Sequence, residues 1–165
     1  MAKKQRQTSK ENRDNPTKPI PRTLYLIKRV QYKTFVRLEA ALAPLGVTTT
    51  QFRILTTLAH GSGYSSAKLS RMFAVKPQTM IKQIANLEAN GLIQRRLAKG
   101  SKRVLEVTMT EAGRKALRAC DKVATALETE LFSCFAPGEL ETYRALMMKL
   151  LDSMRRPVPV EAEEE

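Results

Sequence analysis

A short segment of this sequence collects side chains that bind nucleic acids well. Its five polar or basic residues avoid the apolar positions Met80, Ile84 and Leu87, and they are Lys76, Gln78, Thr79, Lys82 and Gln83. Glutamine can pair with two atoms of an adenine edge, lysine can pair with guanine, and both lysine and threonine can contact phosphate. The same residue types also occur on ordinary solvated helix faces, so the segment needs a structural context before it points to DNA.

Positive charge is concentrated in two stretches of the chain. The 165-residue chain has a formal net charge of +13. Residues 1–22 carry seven Lys or Arg against two acids, and residues 65–103 carry nine against Glu88 alone. Residues 104–160 carry eight of each sign. A basic segment of this kind favours a phosphate-binding surface over a general solubilising charge.

The sequence does not indicate other kinds of reactive site. Cys120 and Cys134 are the only cysteines and His60 is the only histidine, so close-spaced zinc ligands are lacking. There is no glycine-rich phosphate loop and no Ser-His-Asp set, and we expect neither an enzyme nor a cofactor. No stretch approaches the length of a membrane span, and the N-terminus has no apolar signal-like core, which predicts a cytoplasmic protein without a membrane partner.

The chain before and within the polar segment is predicted to be helical. A long helix over 23–43 precedes a second helix that begins at Thr48, whose spacing to Gln51 matches a capping box. A short helix over 65–73 and a bend come next. The following helix, over 77–89, starts with a proline, which suits the first turn.

The pattern changes after a glycine at position 91, which suits the end of a helix. Residues 92–97 and 103–109 are short and β-prone and flank a basic loop, which predicts a β-hairpin. Thr110 is expected to cap a long helix, and Pro137 to start the last one. This order predicts a mainly α fold with a small β-hairpin wing (α+β), a winged helix-turn-helix whose helix 77–89 can lie in a major groove.

We interpret the chain as one ordered domain with two polar ends. Residues 1–22 are predicted to form a disordered basic arm, and residues 157–165 an acidic tail. The domain between them covers residues 23–156 and contains the winged helix-turn-helix over 48–110.

Three segments of the chain resemble the MarR family of transcription regulators. They are GVTTTQFRILTTL, SSAKLSRMFAVKPQTMIKQIANLEANGLIQRR and VTMTEAGRKAL, which are similar to the family's second-helix entry, its helix-turn-helix with the following strand, and its strand-to-helix junction. The resemblance covers residues 23–155 and implies a homodimer with a helical dimerisation lobe from residues 23–45 and 111–155. The apolar stripes of the last helices agree, because no other layer of this fold covers them.

The resemblance also implies a DNA contact at the tip of the hairpin. The family usually has Asp-x-Arg there, and the matching residues of this chain are Ser101, Lys102 and Arg103. Arg103 matches the arginine that enters the minor groove, whereas Ser101 replaces the aspartate that braces it and carries no charge. We therefore expect Lys99, Lys102 and Arg103 to contact DNA together with the five residues of segment 76–83.

Relatives of this family bind phenolic acids or similar effectors between the dimer helices and the DNA-binding lobe, which suggests a matching site in this chain. The candidate residues are Tyr32, Phe35, Arg37, Phe52 and Arg53. Phe35 and Phe52 are also expected to pack in the core, and both arginines can equally face solvent or DNA.

Some relatives sense oxidants through a cysteine near the first helix, where this chain has none. Cys120 lies on an apolar stripe, where a thiol acts as a small hydrophobic group. We interpret Cys120 and Cys134 as structural, and a redox role stays the alternative.

These inferences together predict a sequence-specific transcription regulator that binds a pseudo-palindromic duplex as a homodimer. Repression, ended by a small aromatic effector, is the favoured outcome. Two alternatives stay open: a non-specific architectural DNA-binding protein, suggested by the basic arm, and a winged-helix module that binds protein. Gln78, Thr79 and Gln83 favour specific recognition over the first alternative, and the charge of residues 65–103 disfavours the second.

Overall fold

The computed structural model describes residues 21–97 and 105–154, so most of the predicted basic arm and the whole acidic tail lie outside it. The elements in chain order are α1 (Thr23–Leu42), a 3-10 turn (Ala43–Leu45), α2 (Thr49–Ala59), α3 (Ser66–Met72), α4 (Pro77–Ala89), β1 (Ile93–Leu97), β2 (Leu105–Met109), α5 (Glu111–Phe132) and α6 (Glu139–Ser153). They confirm the predicted mainly α fold with a small hairpin. The described residues form two compact units that divide between Val36 and Arg37. None of the described helices is both long and apolar enough to cross a membrane.

Side-chain hydrogen bonds determine where α2 begins. The hydroxyl oxygen of Thr48 accepts a hydrogen bond from the backbone N–H of Gln51 at 3.2 Å, and the side chain of Gln51 accepts one from the N–H of Thr48 at 3.0 Å. Thr49 donates its backbone N–H to the carboxylate of Glu39 at 2.8 Å. The two hydrogen bonds between Thr48 and Gln51 form the predicted capping box. The hydrogen bond from Thr49 places the negative charge of Glu39 at the N-terminal end of the helix dipole and links α2 to the last turn of α1.

Two short helices and a tight bend form the helix-turn-helix. Ser65 caps α3, because its hydroxyl oxygen accepts a hydrogen bond from the N–H of Lys68 at 3.2 Å. Ala74 takes a left-handed φ of 51° in the bend, and Pro77 is the first residue of α4. Because α3 packs directly against α4, this bend sets how α4 is presented at the surface.

The hairpin follows α4 directly. β1 and β2 pair antiparallel, with Ile93 opposite Met109 at one end and Leu97 opposite Leu105 at the other. The N–H of Val107 donates a hydrogen bond to the carbonyl of Tyr64 at 2.8 Å, so β2 also contacts the segment before α3. The hairpin is thus held both by its own pairing and by the helix-turn-helix.

One apolar core joins α2, α3, α4, the hairpin and α5. Met80, Ile84 and Leu87, the predicted stripe of α4, are all buried in it. Since residues three and four positions apart share one helix face, this burial leaves the opposite face of α4 at the surface. The other buried members are Ile54, Leu55, Leu58, Leu69, Ile93, Val107 and Leu117.

The last helix begins later than the sequence predicted. α6 starts at Glu139 and not at Pro137, because Gly138 takes a left-handed φ of 85° just before the helix. The carboxylate of Glu139 accepts a hydrogen bond from the N–H of Ala136 at 2.8 Å and closes this turn. The prediction was wrong because a proline suits a first helical turn without marking where the helix begins.

Two helices expose apolar side chains that the sequence assigns to packing. Phe35 in α1 was expected in the core but is 44% exposed, and α6 has no buried residue. Periodicity identifies an apolar helix face without saying which chain covers it. The large exposed apolar residues of α6 and its end are Leu146, Met148, Leu151 and Met154.

Candidate nucleic-acid interface

α4 turns one polar face away from the core. Successive residues of an α-helix are rotated by about 100°, so Gln78 and Lys82 lie opposite the buried stripe. Both side chains are exposed, and so is Thr79 at the edge of the same face. We call this surface the outward face of α4. A helix fits into a major groove, where glutamine, threonine and lysine can contact base edges.

Lys76 lies directly before α4 and is exposed. Its backbone carbonyl accepts hydrogen bonds from the N–H groups of Thr79 at 3.0 Å and Met80 at 3.2 Å, while its side chain makes no capping hydrogen bond. The ammonium group therefore adds its charge to the positive end of the helix dipole. An anion such as a phosphate is favoured at this end of α4.

Gln83 lies in a different environment from the one that the sequence predicted. Its position is rotated from the outward face toward the buried stripe, and its side chain is partly buried. The Oε1 atom is enclosed and has no hydrogen-bond partner among the described residues. The residue type suggested a base contact, but the angular position on the helix decides where the side chain lies. We therefore correct the prediction: Gln83 does not share the outward face of Gln78 and Lys82.

Two apolar residues near the outward face were not predicted as site residues from the sequence. Ile81 is 48% exposed, and Ala85, one turn further along, is exposed as well. Both lie outside the stripe formed by Met80, Ile84 and Leu87. A count of helix angles from that stripe would have found them, because each lies well away from its centre.

An ion pair joins α4 to the hairpin. The Nε atom of Arg95 in β1 donates a hydrogen bond to Oε2 of Glu88 in α4 at 2.8 Å, and the backbone N–H of Arg95 donates to Oε1 at 3.2 Å. The side-chain hydrogen bond from Arg95 holds the pKa of Glu88 below its ordinary value. Glu88 is the one acidic residue in the basic segment 65–103, and its charge is paired with Arg95 of β1.

The helix-turn-helix and β1 present several positive side chains to solvent. Those that are exposed among the described residues are Lys68, Arg71, Lys76, Lys82, Arg95 and Arg96. A cluster of this sign attracts the phosphate backbone of nucleic acids. The predicted wing contacts Lys99, Lys102 and Arg103 lie outside the described residues, so their contact with DNA stays a prediction.

An open cleft of about 430 Å³ lies between α2, α3 and α5. Phe52 and Arg53, two of the predicted effector residues, both line it. The guanidinium carbon of Arg53 lies 4.5 Å from the centre of the Phe73 ring, so the positive charge is held at the wall of the cleft. The remaining lining residues are Thr56, Thr57, Met72 and Asp121. The lining thus combines aromatic and aliphatic side chains with one arginine and the carboxylate of Asp121. Aromatic rings beside an arginine suit a small aromatic carboxylate.

Arg37, a third predicted effector residue, does not line this cleft. Arg37 forms an ion pair with Glu130 of α5, so its guanidinium already has a carboxylate partner. Tyr32 and Phe35 belong to the other unit, which ends at Val36, and are 65% and 44% exposed, so their part in an effector site stays a prediction. Of the three predicted effector residues in the unit that begins at Arg37, the structure therefore brings Phe52 and Arg53 to one cavity.

The two cysteines lie in contrasting environments. Cys120 is buried beside Leu42 and Val47, and burial, together with the nearby carboxylate of Asp121, raises the pKa of its thiol. A thiol that stays protonated is a poor nucleophile. Cys134 is exposed in the turn after α5. The packing role predicted for both cysteines thus fits Cys120, whereas the exposure of Cys134 differs from it.

Comparison with known proteins identifies the relatives of this chain. Residues 47–105 match the model of the MarR family. The HTH-type transcriptional repressor Rv2887 of Mycobacterium tuberculosis is 31% identical over 126 residues, which cover 76% of this chain and 91% of that protein. This chain belongs to the MarR family. The predicted family, and with it the class of DNA-binding transcription regulators, is confirmed.

Solved structures of a MarR-family protein have the same winged-helix fold. The M. tuberculosis MarR-family protein Rv2887 in complex with DNA matches with a TM-score of 0.69 at 27% identity, over 79% of this chain and 98% of that one. The same protein in complex with salicylic acid matches with a TM-score of 0.68 at 30% identity, over 80% and 98%. The predicted fold is confirmed over most of the chain.

Proposed function

We propose that this MarR-family protein is a homodimeric repressor that recognises a specific DNA sequence and leaves it when a small aromatic acid binds. One observation carries the proposal: α4 exposes Gln78, Thr79 and Lys82 while its other face is buried in the core. A helix held in this way can enter a major groove without losing its packing. The M. tuberculosis relative, which is named as a transcriptional repressor and has been solved with DNA, supports the same role for this chain.

The DNA-binding residues have different parts in this proposal. Gln78 and Lys82 contact base edges, because they lie at the centre of the outward face of α4. Lys76 contacts a phosphate at the N-terminal end of the helix. Arg103 at the wing binds in or near the minor groove, with Lys99 and Lys102 as phosphate contacts.

A second copy of the chain would cover apolar surfaces that one copy leaves open. Leu146 and Leu151 of α6 are 61% and 53% exposed, and Leu24 and Tyr32 of α1 are 78% and 65% exposed. Burial of such surface drives protein association, and a two-fold dimer presents two copies of α4 to a pseudo-palindromic site. Sedimentation equilibrium should give twice the chain mass of 18.6 kDa. A stable folded monomer would contradict the proposal.

We assign the cleft at Arg53 to the effector. Arg53 would bind the carboxylate of an aromatic acid, and Phe52 would contact its ring. The salicylic acid complex of the M. tuberculosis relative supports this class of ligand. The acid then favours dimer conformations whose recognition helices do not match the two half-sites.

Salicylate should raise the melting temperature of the wild type, and Arg53→Met should abolish this shift. Arg96→Met, which changes an exposed arginine outside the cleft, should retain it.

Competition binding tests sequence recognition. Selection from random duplexes should enrich one inverted repeat, which then serves as the operator. Gln78→Ala, Thr79→Ala and Lys82→Ala should lower the ratio of operator affinity to random-DNA affinity, with a loss of roughly 1–3 kcal/mol for a bidentate base contact. Arg103→Ala should weaken binding to both duplexes and make the salt slope shallower by about one unit.

A matched control is available on α6. Lys149 is exposed there, outside the winged helix-turn-helix, so Lys149→Ala should leave both affinities nearly unchanged. If the variants of α4 shift operator and random DNA equally, no base is recognised and the architectural alternative is correct.

A further inference from the structure

We infer that Ile81, with Ala85 beside it, recognises the 5-methyl group of a thymine in the operator. This inference rests on the DNA-binding function proposed above and adds a specificity-determining contact to it. Ile81 is exposed and apolar, and the packing of the fold does not explain an apolar residue at this position.

The core of α4 is complete without Ile81. Met80, Ile84 and Leu87 are 0%, 1% and 0% exposed, whereas Ile81 is 48% exposed. Isoleucine is also a weaker helix former than lysine, glutamine or glutamate, because its β-branch restricts χ1 against the preceding turn. Neither packing nor helix propensity therefore favours isoleucine at this position.

The surroundings of Ile81 point to a base edge. Ile81 lies in the second turn of α4, three residues after Gln78 and four before Ala85, so the three side chains form one row along the helix. Lys82 is exposed beside this row. In a helix-turn-helix, the N-terminal part of the second helix contacts the bases. An apolar spot thus lies within a surface that otherwise offers hydrogen bonds and positive charge.

Thymine is the base that fits such a spot. On the major-groove edges of the four bases, the 5-methyl group of thymine is the one that projects an apolar carbon into the groove, whereas N7, O6, O4, N4 and N6 are hydrogen-bond acceptors or donors. The stiff χ1 of isoleucine holds its branched side chain in one place, and the small side chain of Ala85 permits close approach. A cytosine at this position carries only a hydrogen on C5, so it lacks the group that Ile81 would contact, and its N4 amino group replaces the O4 acceptor of thymine.

Replacing thymine with deoxyuridine in the selected operator isolates this contact. Deoxyuridine keeps the base pairing and the O4 acceptor and lacks only the methyl group. At one symmetric position of each half-site, the substitution should weaken wild-type binding about fourfold per methyl, the usual value of burying one such group. Ile81→Ala should bind the thymine operator more weakly and should no longer distinguish thymine from uracil there. The four affinities form a double-mutant cycle, which measures the coupling between Ile81 and the methyl group.

Leu45→Ala is the matched control, because Leu45 is an exposed aliphatic residue of the 3-10 turn at 40% exposure. This variant should keep the full sensitivity to uracil. If uracil has no effect at any position, or if Ile81→Ala keeps the effect, the thymine contact is wrong while sequence-specific binding stands. If the selection enriches no sequence, the proposed function itself fails, and the inference fails with it.

Discussion

Gly113 in the first turn of α5 packs so closely against the backbone carbonyl of Leu92 that a β-carbon at this position would overlap the oxygen. That carbon would also lie 2.6 Å from Cγ of Met109. Thr110 holds the same junction, because its Oγ1 accepts a hydrogen bond from the N–H of Gly113 at 3.0 Å and donates one to the carbonyl of Gly91 at 2.7 Å. The end of the helix-turn-helix, the hairpin and α5 therefore meet at one glycine.

Gly113→Ala is expected to lower the free energy of unfolding by roughly 1–3 kcal/mol, because the added methyl group overpacks a site walled by backbone. In an open helix the same change would stabilise, since alanine is the better helix former, so the sign of the effect tests the contact. Urea unfolding measures it. Ala112→Gly at the neighbouring exposed position should lower the free energy of unfolding by less, at most about 1 kcal/mol. A Gly113→Ala variant as stable as the wild type would contradict this packing.

Glu88 is expected to make stability depend on pH. The hydrogen bond from Arg95 lowers the pKa of Glu88 in the folded state, so the fold favours the ionised carboxylate. This contribution is complete above the pKa of an unfolded glutamate, about 4.3, and is lost as the pH falls through the lowered folded value. The difference in unfolding free energy between the wild type and Glu88→Gln should therefore shrink between about pH 6 and about pH 3.

Urea unfolding at a series of pH values measures this difference. Arg95→Met serves as the companion variant, because it removes the donor and leaves Glu88 in place. It should reduce the pH dependence as Glu88→Gln does. A difference that stays constant over the whole range would show that the pair does not stabilise the ionised carboxylate.

Gln83 and Gln78 form a matched pair for separating stability from DNA recognition. Because Oε1 of Gln83 is buried and has no hydrogen-bond partner in the part of the chain that the structure describes, Gln83→Met should raise the free energy of unfolding by about 1 kcal/mol and leave operator preference nearly unchanged. Gln78→Met on the exposed face should do the opposite: little change in stability, and a lower ratio of operator to random-DNA affinity. Thermal unfolding and competition binding report the two effects. Equal losses of operator preference in both variants would restore the original assignment of Gln83.

The two cysteines are expected to differ in reactivity. Iodoacetamide should modify Cys134 much faster than Cys120 in the native protein, because Cys134 is exposed while Cys120 is buried and its raised pKa disfavours the thiolate. Peptide mapping by mass spectrometry measures the two rates. In concentrated urea both should react at similar rates. Similar rates in the native protein would show that Cys120 is accessible and would reopen its redox role.

Local side-chain chemistry made much of this fold predictable from the sequence. The capping box of Thr48, the N-terminal proline of α4, the left-handed Gly91 and the cap at Thr110 are all observed where the sequence placed them. Each of these signals depends on residues within one helical turn, so no tertiary contact can overrule it easily.

The features that could not be predicted from the sequence depend on the direction in which a side chain leaves its helix, or on which distant surface packs against an apolar residue. Gln83 was assigned to DNA by its residue type and Ile81 was not singled out, whereas the rotation of the helix decides that the first is partly buried and the second exposed. Phe35 was assigned to a core because it is apolar, but the sequence does not say which surface covers it. Arg37 offered a charge for an effector, and only the folded structure shows that Glu130, far along the chain in α5, binds it.

Because α6 has no buried residue within one chain, the stability of this helix can depend on the concentration of the protein. If a second copy supplies the missing cover, as we propose, mass action governs the state of the helix, and the midpoint of unfolding rises with total protein concentration. A cell that holds few copies of the chain would then lose both the dimer and the paired spacing of its two recognition helices. Copy number, as well as effector, would set how fully the operator is occupied.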